Sequence, residues 1–375
     1  MADGGESSIN LDYPLKMVAS NASNWVVSGY NSFGQLNPSY SGQTIQQFQE
    51  FQPPFESNSL LLSCSWSYIA VADGCSLQLH GFVSGGIKII KSITTDISIN
   101  SLASCDNFCL ILLENGKVYK CSLQNDKEKL EEVNFQRNLT IPVESNFHHG
   151  IRHVACGNKI MAAIGTSNEV FAGVTQVYQL PKTIRPKLLV CGFEHALLLT
   201  FSGDIYSWGN GLRGQLGNDV SSVEEVPVLV EALAGIEVTH ISASGWHSCA
   251  ISSFGDLYAW GYNSNGQLGI RVFKNESCFL KTPAVYPLPQ LIDVICRCAG
   301  SNRINCTPIK VATGARHTVL LMDCGSIFAT GWNVYGQLGS GNTKILDAFE
   351  FIMNVTCNVE NTKIICGSWC TFIGF

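Results

Sequence analysis

Histidines are the side chains of this 375-residue sequence that most invite an acid–base interpretation, because their pKa lies near neutrality. His195, His247 and His317 stand at matching places, each at the start of an apolar run that leads into a Gly-containing turn. An active site needs a general base once, whereas these histidines recur once per unit of sequence. We therefore expect structural roles, with each ring hydrogen-bonded to nearby backbone where two units meet.

Other patterns that could carry chemistry are weaker. His148, His149 and His153 lie close in sequence, but their surroundings read as an irregular connection with no Cys or Asp at ligand spacing. The sequence contains no nucleophile elbow, phosphate-binding loop, paired carboxylates or zinc-protease motif. We expect no catalytic residue and no cofactor, and the sequence predicts that the protein is not an enzyme.

The sixteen cysteines stand mostly in apolar, strand-like contexts. The first residues, MADGGESSIN, lack the basic start and apolar core of a signal peptide, so we expect buried, reduced thiols in a protein that is not secreted. No CxxC pair occurs, and Cys296, Cys298 and Cys306 lack a fourth partner at zinc-site spacing. The sequence therefore predicts no metal site. No apolar run reaches transmembrane length, so we expect no membrane association.

Charge is sparse and slightly acidic. Charged residues make up 14% of the chain, below the roughly 25% of an average domain. A net charge of −6 without a Lys/Arg tract argues against direct binding of nucleic acid and favours a basic protein partner. The one charge-dense run, 124–132, is interpreted as a solvated loop or short helix.

The elements that position these residues repeat. Residues 191–217, CGFEHALLLTFSGDIYSWGNGLRGQLG, return in altered form at 244–269 and 313–339. Each copy predicts a β-hairpin followed by a loop whose glycines need positive φ and whose leucine packs between units. Those leucines are Leu216, Leu268 and Leu338.

The repeat count predicts the fold. Six positions match Gly192, namely Ser65, Cys105, Gly157, Ser244, Gly314 and Gly367, which makes seven units. Four-stranded units of this kind close radially, so we predict an all-β, seven-bladed propeller. Residues 25–36 form the second half of a unit and 364–373 the first half of another, and we expect these halves to share one blade.

We expect one domain over residues 23–375, because each blade contacts only its neighbours. Residues 1–22 are polar and predicted to be a disordered tail. The longest step between units contains residues 270–307, which we interpret as an insertion that is either an idle surface loop or a partner-binding element.

Cys-Gly-x-x-His, Gly-x-Ile-Tyr-x-Trp-Gly and Gly-Gln-Leu-Gly in tandem resemble the regulator of chromosome condensation repeat family. The resemblance implies a seven-bladed propeller. Within the family, the chain is most similar to small members that consist of the repeat domain alone. That similarity implies a nuclear, chromatin-associated scaffold whose partners are a jumonji-type dioxygenase and histones, acting on histone methylation and chromosome segregation.

Exposed aromatic and arginine side chains are typical of interface hot spots. The loops after the third strand of three units offer such residues, and we predict partner binding by Arg213, Tyr262, Asn263, Trp332 and Tyr335. Trp66, Trp246 and Trp369 fall near one place in their units, and we expect packing or partner contact, with Trp246 at the binding site.

Two other functions remain open from the resemblance. One is guanine-nucleotide exchange on a Ran-like small GTPase, which needs a protruding wedge; only 270–307 is a candidate for it. The other is ultraviolet reception, but the tryptophan motif of such receptors is approached only by Gly245-Trp246-His247-Ser248, and that stretch lacks the arginine. We rank the scaffold first, the exchange factor second and the receptor third.

Overall fold

The computed structural model describes residues 25–57, 59–83, 86–123, 130–138, 140–141, 150–219, 222–272, 284–296, 306–356 and 358–375. Within these ranges the chain forms seven four-stranded sheets, so the prediction of seven blades is confirmed. Strand pairing within every sheet is antiparallel. The predicted tail at 1–22, His148 and His149 lie outside the described residues.

Each blade is a simple meander of adjacent strands. Blade two contains Leu61–Cys64, Tyr68–Asp73, Ser76–Val83 and Gly86–Thr94; blade three contains Ile99–Ser104, Phe108–Leu113, Val118–Ser122 and Glu131–Glu132; blade four contains Ile151–Cys156, Met161–Gly165, Glu169–Ala172 and Thr175–Gln179. Blade five contains Pro186–Cys191, His195–Thr200, Ile205–Asn210 and Val223–Leu229; blade six contains Val238–Ser244, His247–Ser252, Leu257–Tyr262 and Val285–Ile292; blade seven contains Pro308–Thr313, His317–Met322, Ser326–Gly331 and Leu346–Asn354. Two 3₁₀ turns, Glu231–Leu233 and Val359–Asn361, complete the described elements.

Blade one is built from both ends of the described chain. Its strands are, from first to fourth, Lys363–Cys366, Cys370–Gly374, Trp25–Tyr30 and Thr44–Phe51. Trp25 pairs with Gly374 and Gly29 with Cys370. The expected union of the two half-units is confirmed by this pairing. Each half alone would leave an unpaired strand edge, and the other half covers that edge.

Hydrophobic packing lies between blades rather than within them. The described core divides into seven clusters, and each cluster takes residues from two neighbouring blades. At the junction of blades six and seven, for example, Ile251 and Leu268 pack with Leu320 and Met322. A blade therefore buries both faces of its sheet only when the ring is complete.

One backbone turn recurs around the ring and fixes the register that the sequence suggested. The N–H of the residue matched to Gly192 donates to the carbonyl oxygen three residues later at 2.8–3.0 Å; the pairs are Ser65–Tyr68, Cys105–Phe108, Gly157–Ile160, Gly192–His195, Gly314–His317 and Gly367–Cys370. The turns in blades two to four keep this bond although their sequences have diverged.

These turns define two faces of the propeller. We define the loop face as the side that carries the turns between first and second strands and the loops after third strands, for example 192–194 and 211–219. We define the hairpin face as the opposite side, which carries the hairpins between second and third strands and the connections to the next blade, for example 201–204 and 230–237.

The segment 270–307 is not a single insertion. Val285–Ile292 is the fourth strand of blade six and pairs with Leu257–Tyr262. The apolar stretch 291–295 could also be interpreted as the start of blade seven, but Leu291 and Ile292 end this strand of blade six, and blade seven begins at Pro308. Residues 273–283 and 297–305 of the segment lie outside the described residues.

Candidate protein-binding face

Each Gly-Gln-Leu-Gly loop reaches across a blade junction. Gly214, Gly266 and Gly336 have φ of +74°, +77° and +76°, which favours glycine. A Cβ on Gly214 would lie 2.7 Å from Cα of Pro287 in the outer strand of blade six. Cβ atoms on Gly266 and Gly336 would likewise meet backbone of the next blade. Glycine is thus required at these positions for two reasons: the backbone has a positive φ, and the backbone of the next blade leaves no room for a Cβ atom.

The glutamines and leucines of these loops are interior residues. The Oε1 atoms of Gln215, Gln267 and Gln337 accept hydrogen bonds from backbone N–H groups two residues earlier at 2.9–3.1 Å. Leu216, Leu268 and Leu338 are at most 1% exposed. The loop is consequently rigid where it crosses the junction, and only the residues at its tip face outward.

The three matched histidines join neighbouring blades through hydroxyl groups. Nε2 of His195 lies 2.9 Å from Oγ of Ser248, that of His247 lies 2.9 Å from Oγ1 of Thr318, and that of His317 lies 3.1 Å from Oγ1 of Thr371. Each hydroxyl donates in turn to the carbonyl oxygen of a loop glutamine, at 2.9, 2.6 and 2.7 Å respectively. The hydroxyl therefore accepts from the histidine N–H. Each ring thus reaches the loop backbone through the hydroxyl, and the rings of His247 and His317 also have backbone hydrogen bonds, to His317 and Cys370 respectively.

Burial keeps these rings neutral. It lowers the pKa of His195, His247 and His317 from the ordinary 6.5 to about 3. A Cβ on Gly192 or Gly314 would overlap the ring of the histidine three residues later, which explains glycine at both positions. All three rings are fully buried, so their geometry suits a structural link between blades rather than acid–base work on a substrate.

Several predicted partner-binding residues form one cluster on the loop face. The guanidinium carbon of Arg213 lies 4.0 Å from the ring centre of Trp246 and 5.0 Å from that of Tyr262. Phe193 packs edge-on against Trp246 at 5.3 Å. The side chains of Arg213, Trp246 and Tyr262 are all partly exposed, so the cluster is accessible as well as ordered.

Similar stacking continues around the ring. Tyr335 of blade seven lies against Tyr30 and Trp369 of blade one, with ring centres 5.0 and 5.7 Å apart. Phe33 of blade one lies 5.4 Å from Trp66 and 5.3 Å from Phe82 of blade two. Arg316 lies 5.7 Å from the ring of Trp332. These side chains extend over five consecutive blades, and we call them the aromatic band. Its members are Tyr30, Phe33, Trp66, Phe82, Phe193, Arg213, Trp246, Tyr262, Arg316, Trp332, Tyr335 and Trp369.

Asn263 is a correction to the predicted site. Its side chain is fully buried, its Oδ1 accepts from the N–H of Leu268 at 3.0 Å, and its Nδ2 donates to the carbonyl of Ile270 at 2.8 Å. Asn31 and Asn333 make the same bond to the loop leucine of their own blades. The amide satisfies loop backbone, so Asn263 is not available to a partner.

Sequence reasoning missed about half of the band. Tyr30 and Phe33 lie in the half-unit at residues 25–36, where they align with Tyr262 and Tyr335 of the other loops. This alignment could have indicated the band, because the residues one and four positions after Gly29, Gly209, Gly261 and Gly331 are all partly exposed.

Charge on this face is limited. Two ion pairs occur among the described residues, Lys117–Glu132 and Lys159–Glu194. Glu194 lies on the loop face, 2.7 Å from Nζ of Lys159, and also accepts from the amide of Asn210 at 2.8 Å. The carboxylate is thus already paired, and the band presents mainly rings and guanidinium groups.

The central channel is a concave feature of the described residues. Its cavity of about 390 Å³ is lined by the first strands of all seven blades. Cys105 and Cys156 are hydrogen-bonded there, and this bond lowers the pKa of the Cys105 thiol to about 7. Aliphatic and small side chains make up most of its lining, whereas the aromatic band carries partly exposed aromatic and arginine side chains, so the band is the better surface for a macromolecule.

Seven radial four-stranded sheets closed by the first and last strands define a β-propeller. Two descriptions of the regulator of chromosome condensation (RCC1) repeat match the chain, one at 202–251 and 255–321 and the other at 187–215, 238–267 and 309–337. The chain is therefore a seven-bladed propeller that contains RCC1 repeats over residues 187–337. Within the described residues, no helix is long and apolar enough to cross a membrane.

Relatives with the same repeats include RCC1 domain-containing protein 1 of Homo sapiens, 33% identical over 225 residues, and that of Mus musculus, 30% identical over 223 residues. These alignments cover 52% of this chain and 57% and 56% of the relatives, so the chain spans just over half their length. The ultraviolet-B receptor UVR8 of Arabidopsis thaliana is 31% identical over 159 residues, covering 42% of this chain and 32% of the receptor.

Solved structures share the fold. Prp20p of Saccharomyces cerevisiae superposes with a TM-score of 0.69 at 18% identity, covering 95% of this chain and 92% of Prp20p. Human WBSCR16 gives a TM-score of 0.69 at 14% identity, covering 94% of this chain and 99% of that chain. At these identities the likeness concerns the fold alone.

Proposed function

We propose that this protein is a non-enzymatic scaffold that binds protein partners through the aromatic band. The proposal rests on the stacked cluster of Arg213, Trp246 and Tyr262. A similar stack of aromatic rings is formed by Tyr335, Trp369 and Tyr30. Partly buried aromatic and arginine side chains held in rigid stacks lose little side-chain entropy on binding, which is why they dominate interface energetics.

We propose a basic partner at chromatin, and a nuclear location. The net charge of −6 favours association with a cationic protein, and aromatic faces attract lysine and arginine side chains. The structure of Prp20p was described together with its binding to Gsp1p and histones, which supports histones as one partner class here. The resemblance to small family members adds a jumonji-type dioxygenase as the second.

The test is affinity purification from nuclear extract followed by mass spectrometry, comparing the wild-type protein with Arg213→Ala/Trp332→Ala. We expect histones or a jumonji-type dioxygenase on the wild-type protein and a loss of at least tenfold on the double variant, with nearly unchanged melting temperature. Phe254→Ala is the control, since Phe254 is an aromatic residue 81% exposed on the hairpin face. Equal capture by the double variant contradicts the assignment of the aromatic band. If deletion within 270–307 then abolishes capture, that segment is the binding site.

Nucleotide exchange on a Ran-like GTPase is the alternative, supported by the likeness to Prp20p. A small GTPase as the chief captured protein would favour it. The ultraviolet receptor is the third candidate, supported only by the partial match to UVR8 and by the single Gly-Trp-His-Ser stretch at 245–248.

A further inference from the structure

Three thiols meet on the hairpin face, away from the aromatic band. The sulfur atoms of Cys296, Cys306 and Cys324 all lie within 4.8 Å of one another. Sγ of Cys296 is 3.6 Å from Sγ of Cys324, and the side chain of Cys296 is also hydrogen-bonded to that of Cys306. All three side chains are half-buried. The sequence did not predict this group because Cys324 is distant from the other two along the chain.

The fold holds the three cysteines in place. Cys296 follows the fourth strand of blade six, Cys306 precedes the first strand of blade seven, and Cys324 lies in the hairpin of blade seven. Two hydrogen bonds fix this hairpin to the connection: the N–H of Asp323 donates to the carbonyl of Thr307 at 2.9 Å, and the N–H of Thr307 donates to Oδ1 of Asp323 at 3.1 Å. The three side chains pack against the apolar cluster between blades six and seven.

Their spacing matches a tetrahedral thiolate site. Zinc–sulfur bonds of about 2.3 Å at tetrahedral angles place neighbouring sulfur atoms about 3.8 Å apart. The 3.6 Å between Cys296 and Cys324 needs only a small adjustment to reach that value. We propose that Cys296, Cys306 and Cys324 bind one Zn²⁺ ion as thiolates, with a water molecule as the fourth ligand on the half-exposed side.

The chemistry of the group favours a metal over a disulfide. A disulfide would use two of the three sulfur atoms and leave the third thiol beside it, whereas one soft cation uses all three. A bound dication offsets the negative charges of the three sulfur ligands, because ligand thiols lose their protons on binding.

A bound ion would join three points of the chain that otherwise meet only through side-chain and backbone contacts. Cys296 and Cys306 stand on either side of residues 297–305 in sequence, so the ion would fix both ends of that segment to the hairpin of blade seven. Because only the folded chain presents the complete ligand set, zinc would stabilise the native state.

Metal content of the full chain, purified and reduced, tests the proposal. We expect one equivalent of zinc per chain after exchange into zinc-containing buffer and removal of loose metal, and thiolate-to-metal charge-transfer bands when Co²⁺ replaces zinc. Cys296→Ser and Cys324→Ser should each lose the equivalent and the bands. Cys75→Ser is the matched control, since Cys75 is a half-buried thiol in the corresponding hairpin of blade two, and it should keep both.

Zinc should also raise the melting temperature of the wild-type protein and of Cys75→Ser, but not that of Cys296→Ser. This second measurement, with circular dichroism of each variant, separates loss of the site from loss of the fold. A wild-type chain without the zinc equivalent and the cobalt bands overturns the proposal. So does retention of the equivalent by a folded Cys296→Ser or Cys324→Ser chain, and so does binding of Cu⁺ but not of Zn²⁺.

Discussion

Trp260 donates its indole N–H to the backbone carbonyl oxygen of Gln215, 3.0 Å away across the junction of blades five and six. Trp208, the matching residue of blade five, is equally buried, but its Nε1 has no hydrogen-bond partner in the described part of the chain. The difference lies in the preceding blade. Blade five supplies a Gly-Gln-Leu-Gly loop, whereas blade four joins its third and fourth strands by Gly173 and Val174 alone.

The two tryptophans form a natural pair for measuring that hydrogen bond. Both Trp260→Phe and Trp208→Phe remove ring volume from an interior site, but only the first also breaks an N–H···O bond. We expect Trp260→Phe to lower the free energy of unfolding by about 1 kcal/mol more than Trp208→Phe. Urea denaturation of both variants checks this, and equal losses would show that the bond contributes no net stability.

Leu268 tests the packing of the loops between blades. It is fully buried in the cluster that joins blades six and seven, so Leu268→Ala should cost about 2–5 kcal/mol in the free energy of unfolding. Leu212→Ala is the matched control, because Leu212 lies in the corresponding loop of blade five and is 61% exposed. We expect the control to change stability by less than about 0.5 kcal/mol. A loss below about 1 kcal/mol at Leu268 would contradict the packing role.

The buried histidines predict how stability depends on pH. His247 has a pKa of about 3 in the folded state against 6.5 ordinarily, so between these values the unfolded chain binds the proton and the folded chain does not. Its contribution is complete above pH 6.5 and is lost as the pH falls towards 3, by about 1.4 kcal/mol per pH unit.

His247→Gln should therefore flatten the decline in unfolding free energy between pH 6 and pH 4 by about that slope. Thr318→Val serves as control, because it removes the hydroxyl that accepts from His247 but keeps the titrating ring. Urea midpoints at several pH values give the slopes. An unchanged slope in His247→Gln would mean that the ring is protonated in the folded protein.

We expect no nucleotide exchange on a Ran-like GTPase. Release of GDP requires a rigid protruding element that disturbs the phosphate and magnesium site, and residues 285–292 of the candidate segment are instead a strand of blade six. Release of labelled GDP should be unchanged by micromolar protein, with magnesium chelation as the positive control. Acceleration of tenfold, about 1.4 kcal/mol off the barrier, would place the exchange factor ahead of the scaffold.

The ring could be predicted from sequence because its turns are chemically demanding. Gly192 and Gly314 must admit a histidine ring, and Gly214 must let the loop approach the next blade, so these glycines and their equivalents mark the repeat most clearly in blades five to seven. The outer strand of blade six was missed because Pro287 and Pro289 discourage a strand interpretation. An outermost strand tolerates proline, since one side of its backbone needs no partner.

Side-chain roles at the binding face were harder to predict. Asparagine in a loop is usually exposed, and only the structure shows that Asn263 satisfies the loop's own backbone. The link between Cys324 and Cys296 depends on where a hairpin of one blade meets the exit of another, which no local sequence pattern encodes.

Because Trp25 pairs with Gly374, the described chain closes into a ring whose backbone has one break, between these two residues. In blade one the hairpin between second and third strands is replaced by this break, which lies on the hairpin face. A short linker could reseal it while new ends are opened at another hairpin, such as 201–204, so a circular permutant should keep all seven sheets. A tether attached just before Trp25 would hold the ring by its hairpin face, with the aromatic band turned towards solution.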